Sequence, residues 1–135
     1  MKKIVCAAFI SDQKVLLVKR AEHRKWSAGR WDLVGGHVDR GEEAEDALIR
    51  ECQEEVGLTP TSFTLLATVY EPDDKSKTTP FYIYVVSEWS GGSGLLLGDE
   101  HSDLGWFRLP ELDDLTFALN DYRPILLKLL QAPIL

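Results

Sequence analysis

No stretch of this chain is apolar for the roughly 20 residues that a membrane-crossing helix needs. The first β-branched run, Ile4–Ile10, is only seven residues long. Cysteine is scarce: Cys6 and Cys52 are the only two. Two cysteines make no secreted disulfide framework. Both sit in apolar patterns, which predicts two buried, reduced thiols acting as small hydrophobes. Basic residues are outnumbered, with 15 Lys and Arg against 22 Asp and Glu and a net charge of −7. Non-specific binding to nucleic acid or to an anionic membrane relies on clustered cations, so both are disfavoured as partners. Internal repeats, low-complexity tracts and linkers are absent. The 44% apolar content argues against a disordered chain, and 135 residues suffice for one domain, 1–135, with its own core. Met1-Lys2-Lys3 before Ile4–Ile10 superficially suggests a signal peptide. No convincing small-residue cleavage site follows, and a second strand-like run comes at once. The expectation is a first strand in a cytoplasmic protein.

The negative charge is concentrated. Residues 39–55 hold eight acids and two bases, whereas the remaining chain holds fourteen acids and thirteen bases and is nearly neutral. A cation is the natural partner of such a patch. A small anionic substrate also fits if metal ions stand between it and the carboxylates.

Ile4–Ile10 and Val15–Arg20, separated by four polar residues, predict a hairpin. Residues 21–30 are polar and basic, hence a loop. Trp31–Val34 reads as a short strand ended by Gly35-Gly36. Glu42–Glu55 reads as a helix: no Pro or Gly interrupts it, acids occupy its first turn, and Gly57 follows as a stop. At about 100° per residue, Ala44, Leu48, Cys52 and Val56 form one apolar stripe. Phe63–Tyr70 and Phe81–Val86 are expected strands. Leu95–Leu97 and Trp106–Leu109 are expected short strands flanking Gly98–Leu104. Pro124–Leu130 is an expected helix with Pro at its start. This order of strands and helices predicts an α/β (α+β) fold with a mixed sheet sandwiched between helices.

Glu51, Glu54 and Glu55 stand at i, i+3 and i+4, about 5–6 Å apart at Cβ on one helix face. They border the apolar stripe, which places them at the lip of a cleft. Alone, such a run is more often a solvated acidic face. Three adjacent carboxylates repel one another, and a hard divalent cation with oxygen ligands removes that repulsion. Glu42, Glu43, Glu45 and Asp46 are assigned to helix start and solubility.

The spacing around the glutamates changes the balance. Gly36 is followed by five residues, Glu42, seven residues, and Arg50-Glu51-Cys52-Gln53-Glu54-Glu55-Val56-Gly57-Leu58. This resembles the Nudix box, the signature of the Nudix hydrolases, over residues 36–58. All seven fixed positions match. Cys52 departs from the usual branched aliphatic residue, and Val34 from the proline many members carry before Gly-Gly. Neither departure touches a charged position.

The resemblance implies a Nudix fold and roles for particular residues. Glu51, Glu54 and Glu55 would hold Mg²⁺ or Mn²⁺, with the Gly35 carbonyl as a further ligand and Gly36 close to the phosphates. Arg50 would orient the glutamates by ion pairing. Glu100, six residues before Trp106, resembles the loop glutamate of MutT-type members, as metal ligand or general base. Whether Glu51 or Glu100 is the base stays open. Arg20, Arg24, Lys25 and Arg30 are candidate phosphate partners, Arg20 first. Tyr70, Phe81 and Phe117 are stacking candidates, and Asn120 resembles a base-reading Asn. Asn120 or Asp121 as a helix N-cap explains that segment equally well. His101 is assigned no role beyond the surface.

The activity implied is Mg²⁺-dependent hydrolysis of a nucleoside diphosphate-linked small molecule, with a (deoxy)nucleoside triphosphate giving NMP and pyrophosphate preferred. ADP-ribose, a nucleotide sugar or a dinucleoside polyphosphate are the alternatives. A non-catalytic nucleotide-binding Nudix module is a reading of a different class. Homodimers are common in the family, and oligomeric state stays open here.

Overall fold

The computed structural model describes residues 2–131; Met1 and residues 132–135, the two ends of the expected 1–135 unit, lie outside the described residues. Strand β1 (Ile4–Ser11) organises the sheet. Its first six residues run parallel to β6 (Phe81–Ser90), while Ile4–Ala7 also pair antiparallel with β4 (Val34–His37). Its end turns through a hairpin into β2 (Lys14–Arg20). Strand β2 in turn pairs antiparallel with β3 (Trp31–Asp32) and with the whole of β7 (His101–Arg108). Strand β5 (Thr59–Val69) is added antiparallel to β6. The sheet is mixed, as the element order predicts.

Alternation along β1 and β2 builds two cores, because successive side chains leave opposite faces of a strand. Val5, Ala7, Phe9, Leu16 and Val18 pack with Ala47, Leu48, Cys52 and Val56 of helix α1 (Ala44–Val56). Cys6, Ala8, Val15 and Leu17 pack with Leu112, Tyr122, Leu126 and Leu130 on the other face. Those residues belong to a short 3-10 helix, Leu109–Asp114, and to helix α2 (Tyr122–Leu130). Runs apolar at every position are therefore strands covered on both sides. Both cysteines are free and buried, one in each core.

Several boundaries differ from the sequence expectation, each for a local reason. Helix α1 starts at Ala44 rather than Glu42, because Glu42 closes a turn: its carboxylate accepts the Asp39 N–H at 2.9 Å. Trp31–Val34 is two strands, not one. The Asp32 carboxylate takes the Leu33 N–H at 2.8 Å, and the chain passes from β2 to β1 at that point. Gly35 and Gly36 are consequently inside β4 and pair with β1 rather than ending a strand. Leu95–Leu97 forms no strand. Its N–H groups donate to the carbonyls of Val56 (3.1 Å) and Glu55 (3.0 Å), satisfying the open end of α1. Strand β7 begins at His101, so the expected loop Gly98–Leu104 is half strand. Helix α2 begins at Tyr122, two residues before Pro124, with Asp121 at its N-cap but no side-chain capping bond.

Gly57 ends α1 as expected, with φ 69° in the left-handed region and its N–H on the Gln53 carbonyl. What fixes α1 against the sheet is its buried stripe, and Leu48 is its largest fully buried member. Leu48→Ala is expected to cost about 2–5 kcal/mol. In urea the midpoint should fall with an unchanged m value, since the unfolded surface is nearly the same.

Candidate active site

A cavity of about 810 Å³ opens between the start of β1, strand β4, helix α1 and the 21–30 loop. One end is acidic. Glu51 and Glu55 reach it from α1, Glu100 from the segment before β7, and Gly35, Gly36 and His37 from β4. Here the helix meets β4 through the Glu51 and Glu55 side chains, which lie against the glycine backbone. A Cβ on Gly36 would fall onto the Glu51 carboxylate, and one on Gly35 onto the Val5 carbonyl. The glycines thus make room for a glutamate and for a neighbouring strand.

The three box glutamates are not equivalent. Glu55 is buried, and its carboxylate accepts the Gly35 N–H at 3.1 Å. Burial pushes its pKa up to about 9, with the neighbouring Glu51 and Glu100 carboxyls adding to the rise. Glu51 is also raised by burial, against the pull of Arg50. Its side chain is 13% exposed, whereas that of Glu54 is 57% exposed and does not line the cavity. Glu54 stands about 100° around the helix from Glu55, which turns it toward solvent.

Arg50 organises this end. Its guanidinium meets both Glu42 oxygens (2.8 and 2.9 Å), Glu51 (2.9 Å), Glu54 (3.2 Å) and the His37 carbonyl (3.0 Å). The expected ion pairing with the glutamates is present. Glu42 is more than a helix-start acid: Arg50 holds its pKa down to about 2.

The other end of the cavity is aromatic and apolar, lined by Trp26, Leu33, Phe81 and Tyr122. The indole N–H of Trp26 donates to Glu71 at 3.0 Å, which joins two loops across the opening. Asp32 lies buried at the base, 3.5 Å from the Arg20 guanidinium. Its pKa is raised by burial, opposed by Arg20 and by a hydrogen bond from Tyr122. Trp26, Asp32 and Glu71 are absent from the sequence candidates. Trp26 is a lone aromatic in a basic loop and Asp32 an acid within an apolar run, so each left a trace in the sequence.

The phosphate candidates divide. Arg20, the first choice, is largely committed: Nε donates to the Trp26 carbonyl at 2.6 Å, and its guanidinium stacks 4.7 Å from the Trp26 ring. Arg24 and Lys25 line the cavity, while Arg30 is exposed and does not. Among the stacking candidates, Phe81 lines the cavity and Tyr70 does not; Phe117 is buried in the α2-side core. Asn120 does not line this cavity. It is exposed in a separate depression with Leu115, Thr116, Phe117 and Arg123. His101 is half-buried, and burial holds its pKa down to about 4.

The NUDIX domain family model matches residues 1–129. The chain belongs to the Nudix family. It is 34% identical over 128 residues to the "nucleoside triphosphatase NudI" of Salmonella arizonae, spanning 89% of this chain and 87% of that protein. It also resembles the crystal structure of a MutT NUDIX hydrolase from Burkholderia pseudomallei. That match has 35% identity and a TM-score of 0.77, over 94% of this chain and 95% of that one. The NUDIX domain of Shewanella oneidensis NrtR, solved with ADP ribose, is 26% identical with a TM-score of 0.73 over 91% and 82% of the two chains. The protein is a Nudix hydrolase, acting on phosphoanhydrides. No helix among the described residues is long and apolar enough to cross a membrane.

Nudix hydrolases generally require a divalent metal such as Mg²⁺. The acidic end suits one chemically. Its donors are all oxygen, and Glu55 is a buried carboxyl whose ionised form meets two other carboxyls rather than a cation. Among the described residues no three acidic, His or Cys side chains are gathered closely enough to hold a metal ion by themselves. Mg²⁺ is commonly held by one or two carboxylates with waters and substrate phosphates, which such an open arrangement can provide.

Glu55 also sets a pH dependence for the metal-free protein. The folded chain keeps its proton to about pH 9, whereas the unfolded chain loses it near 4.5. Stability from this group is fully present below about 4.5 and is lost as pH rises through about 9. In EDTA, Tm is expected to fall with pH across that window, and Glu55→Gln should flatten the decline.

Proposed function

We propose that the protein is a Mg²⁺- or Mn²⁺-dependent pyrophosphohydrolase that converts a (deoxy)nucleoside triphosphate to NMP and pyrophosphate. The observation that carries this reading is a single cavity with carboxylates Glu51, Glu55 and Glu100 at one end, cations Arg24 and Lys25 on its wall, and an aromatic end beyond. The nucleoside triphosphatases among its relatives support the substrate class.

A divalent cation held by Glu51, Glu55 and Glu100, with Glu54 at the rim and the Gly35 carbonyl as a further ligand, would neutralise the polyphosphate and make a water more acidic. Arg50 holds Glu51 and Glu54 in place by ion pairing. Arg24 and Lys25 face the phosphates, and Gly36 makes room for the Glu51 carboxylate beside them. Glu51 and Glu100 are the two candidates to accept the attacking water's proton. The aromatic end around Trp26 and Phe81 receives the nucleoside.

The test is a panel of canonical and oxidised (d)NTPs, ADP-ribose, a nucleotide sugar and a dinucleoside tetraphosphate with Mg²⁺, measuring phosphate and pyrophosphate separately. Pyrophosphate from a nucleoside triphosphate is the expected result. Turnover of ADP-ribose or a sugar nucleotide alone would keep the chemistry and replace the substrate. Nucleotide binding without any turnover would make the chain a binding module. Glu55→Gln is expected to lower kcat by about a hundredfold or more, since cation-dependent charge stabilisation is lost.

A further inference from the structure

The acidic end and the basic loop meet in one place that the proposed function leaves unexplained. Arg24 Nη1 lies 3.1 Å from Glu100 Oε1, and both side chains line the cavity. The contact follows from the sheet. Strands β2 and β7 are antiparallel, with Arg20 opposite His101 at their ends, so the segment after β2 emerges beside the segment before β7. Ala21 ties both: its N–H donates to the Glu100 carbonyl at 3.0 Å, and its carbonyl accepts the Arg24 N–H at 3.1 Å. The ion pair is thus held by backbone at both ends. It is also part-exposed, with the two side chains 28% and 50% accessible. An ion pair of that kind is weak. A phosphate, offering bidentate charged acceptors, competes well for the same guanidinium.

Glu100 has a second neighbour, since its carboxyl lies within hydrogen-bonding reach of Glu55 across the cavity. It therefore stands between a cation on the loop and the carboxylates of α1. Arg20, by contrast, is engaged with Trp26 and Asp32.

We propose that Arg24 is a positioning residue for Glu100: it holds the Glu100 carboxylate in an ion pair until a phosphate group takes its guanidinium, and the exchange frees Glu100 for a divalent cation. This rests on reading the cavity as a site for a polyphosphate and a divalent cation. Cation and polyphosphate then assist each other through the protein, because each takes one partner of the same pair.

Four full-length proteins test it without any nucleotide: wild type, Arg24→Gln, Glu100→Gln and the double variant. Free Mn²⁺ is followed by electron paramagnetic resonance in one titration. In the other, inorganic pyrophosphate is titrated in EDTA by calorimetry. Arg24→Gln is expected to tighten Mn²⁺ binding about two- to fivefold, and to give no gain when Glu100 is already Gln. Glu100→Gln is expected to tighten pyrophosphate binding by a similar factor, and to give no gain when Arg24 is already Gln. Saturable Mn²⁺ binding that Arg24→Gln leaves unchanged would overturn the inference while keeping the metal site. Effects that simply add in the double variant would also overturn it, since they would mark through-space charge rather than exchange. Absence of saturable Mn²⁺ binding to the wild type would overturn the metal site and the inference together.

Discussion

Helix α1 can offer carboxylates to the cavity only because it lies directly on the glycine backbone of β4. The position a Cβ of residue 36 would take is the position of the Glu51 carboxylate. The Gly35 N–H, in turn, is what the buried Glu55 carboxylate accepts from. Both contacts run between one helix face and two consecutive residues of one strand. A side chain at Gly36 would displace the Glu51 carboxylate, and one at Gly35 would push β4 away from β1, so either would disturb the placing of the glutamates. The rest of the site is arranged around that contact: Arg50 reaches from α1 back over β4 to the His37 carbonyl, and Glu42 closes the turn between them.

The same contact carries an electrostatic cost. Carboxylates at i and i+4 are brought under cover with only one guanidinium, that of Arg50, close to them, and Arg50 serves Glu42, Glu51 and Glu54 rather than Glu55. Glu55 is left with one backbone N–H and two like-charged neighbours, and its proton affinity rises accordingly. Buried charges are usually neutralised by pairing or by pKa shift. In this protein the pairing partner would come from solution, so the group best adapted to a cation is also the one that strains the metal-free fold.

Much of this was legible in the sequence because it is local. Glycine, glutamate and arginine at fixed spacing on a strand, turn and helix specify a contact within one stretch of chain, and the structure places Gly35, Gly36, Glu51, Glu55 and Arg50 together. The alternation of β1 and β2 likewise carried the two-sided core. What did not show was long-range. Leu95–Leu97 reads as a strand by its residues, yet its N–H groups serve the end of α1. Trp26, Asp32 and Glu71 share a cavity only because β3, the 21–30 loop and the segment before β6 converge. Asn120 resembles a base-reading residue in sequence, yet it lines a separate depression with Leu115 and Arg123.

Two Arg–carboxylate pairs stand in the cavity beside the glutamates of α1. Of the cations that line it, Arg20 is paired with Asp32 and Arg24 with Glu100, while Lys2 and Lys25 form no ion pair among the described residues. Asp32 lies deep and its pair with Arg20 is shielded, so that pair fixes the loop against the strand. Arg24 and Glu100 lie nearer the surface, where an ion pair contributes little and exchanges readily. Depth therefore divides two similar Arg–carboxylate pairs into different tasks: the deeper one holds the shape of the cavity, and the shallower one is free to change partners when an anion and a cation arrive together.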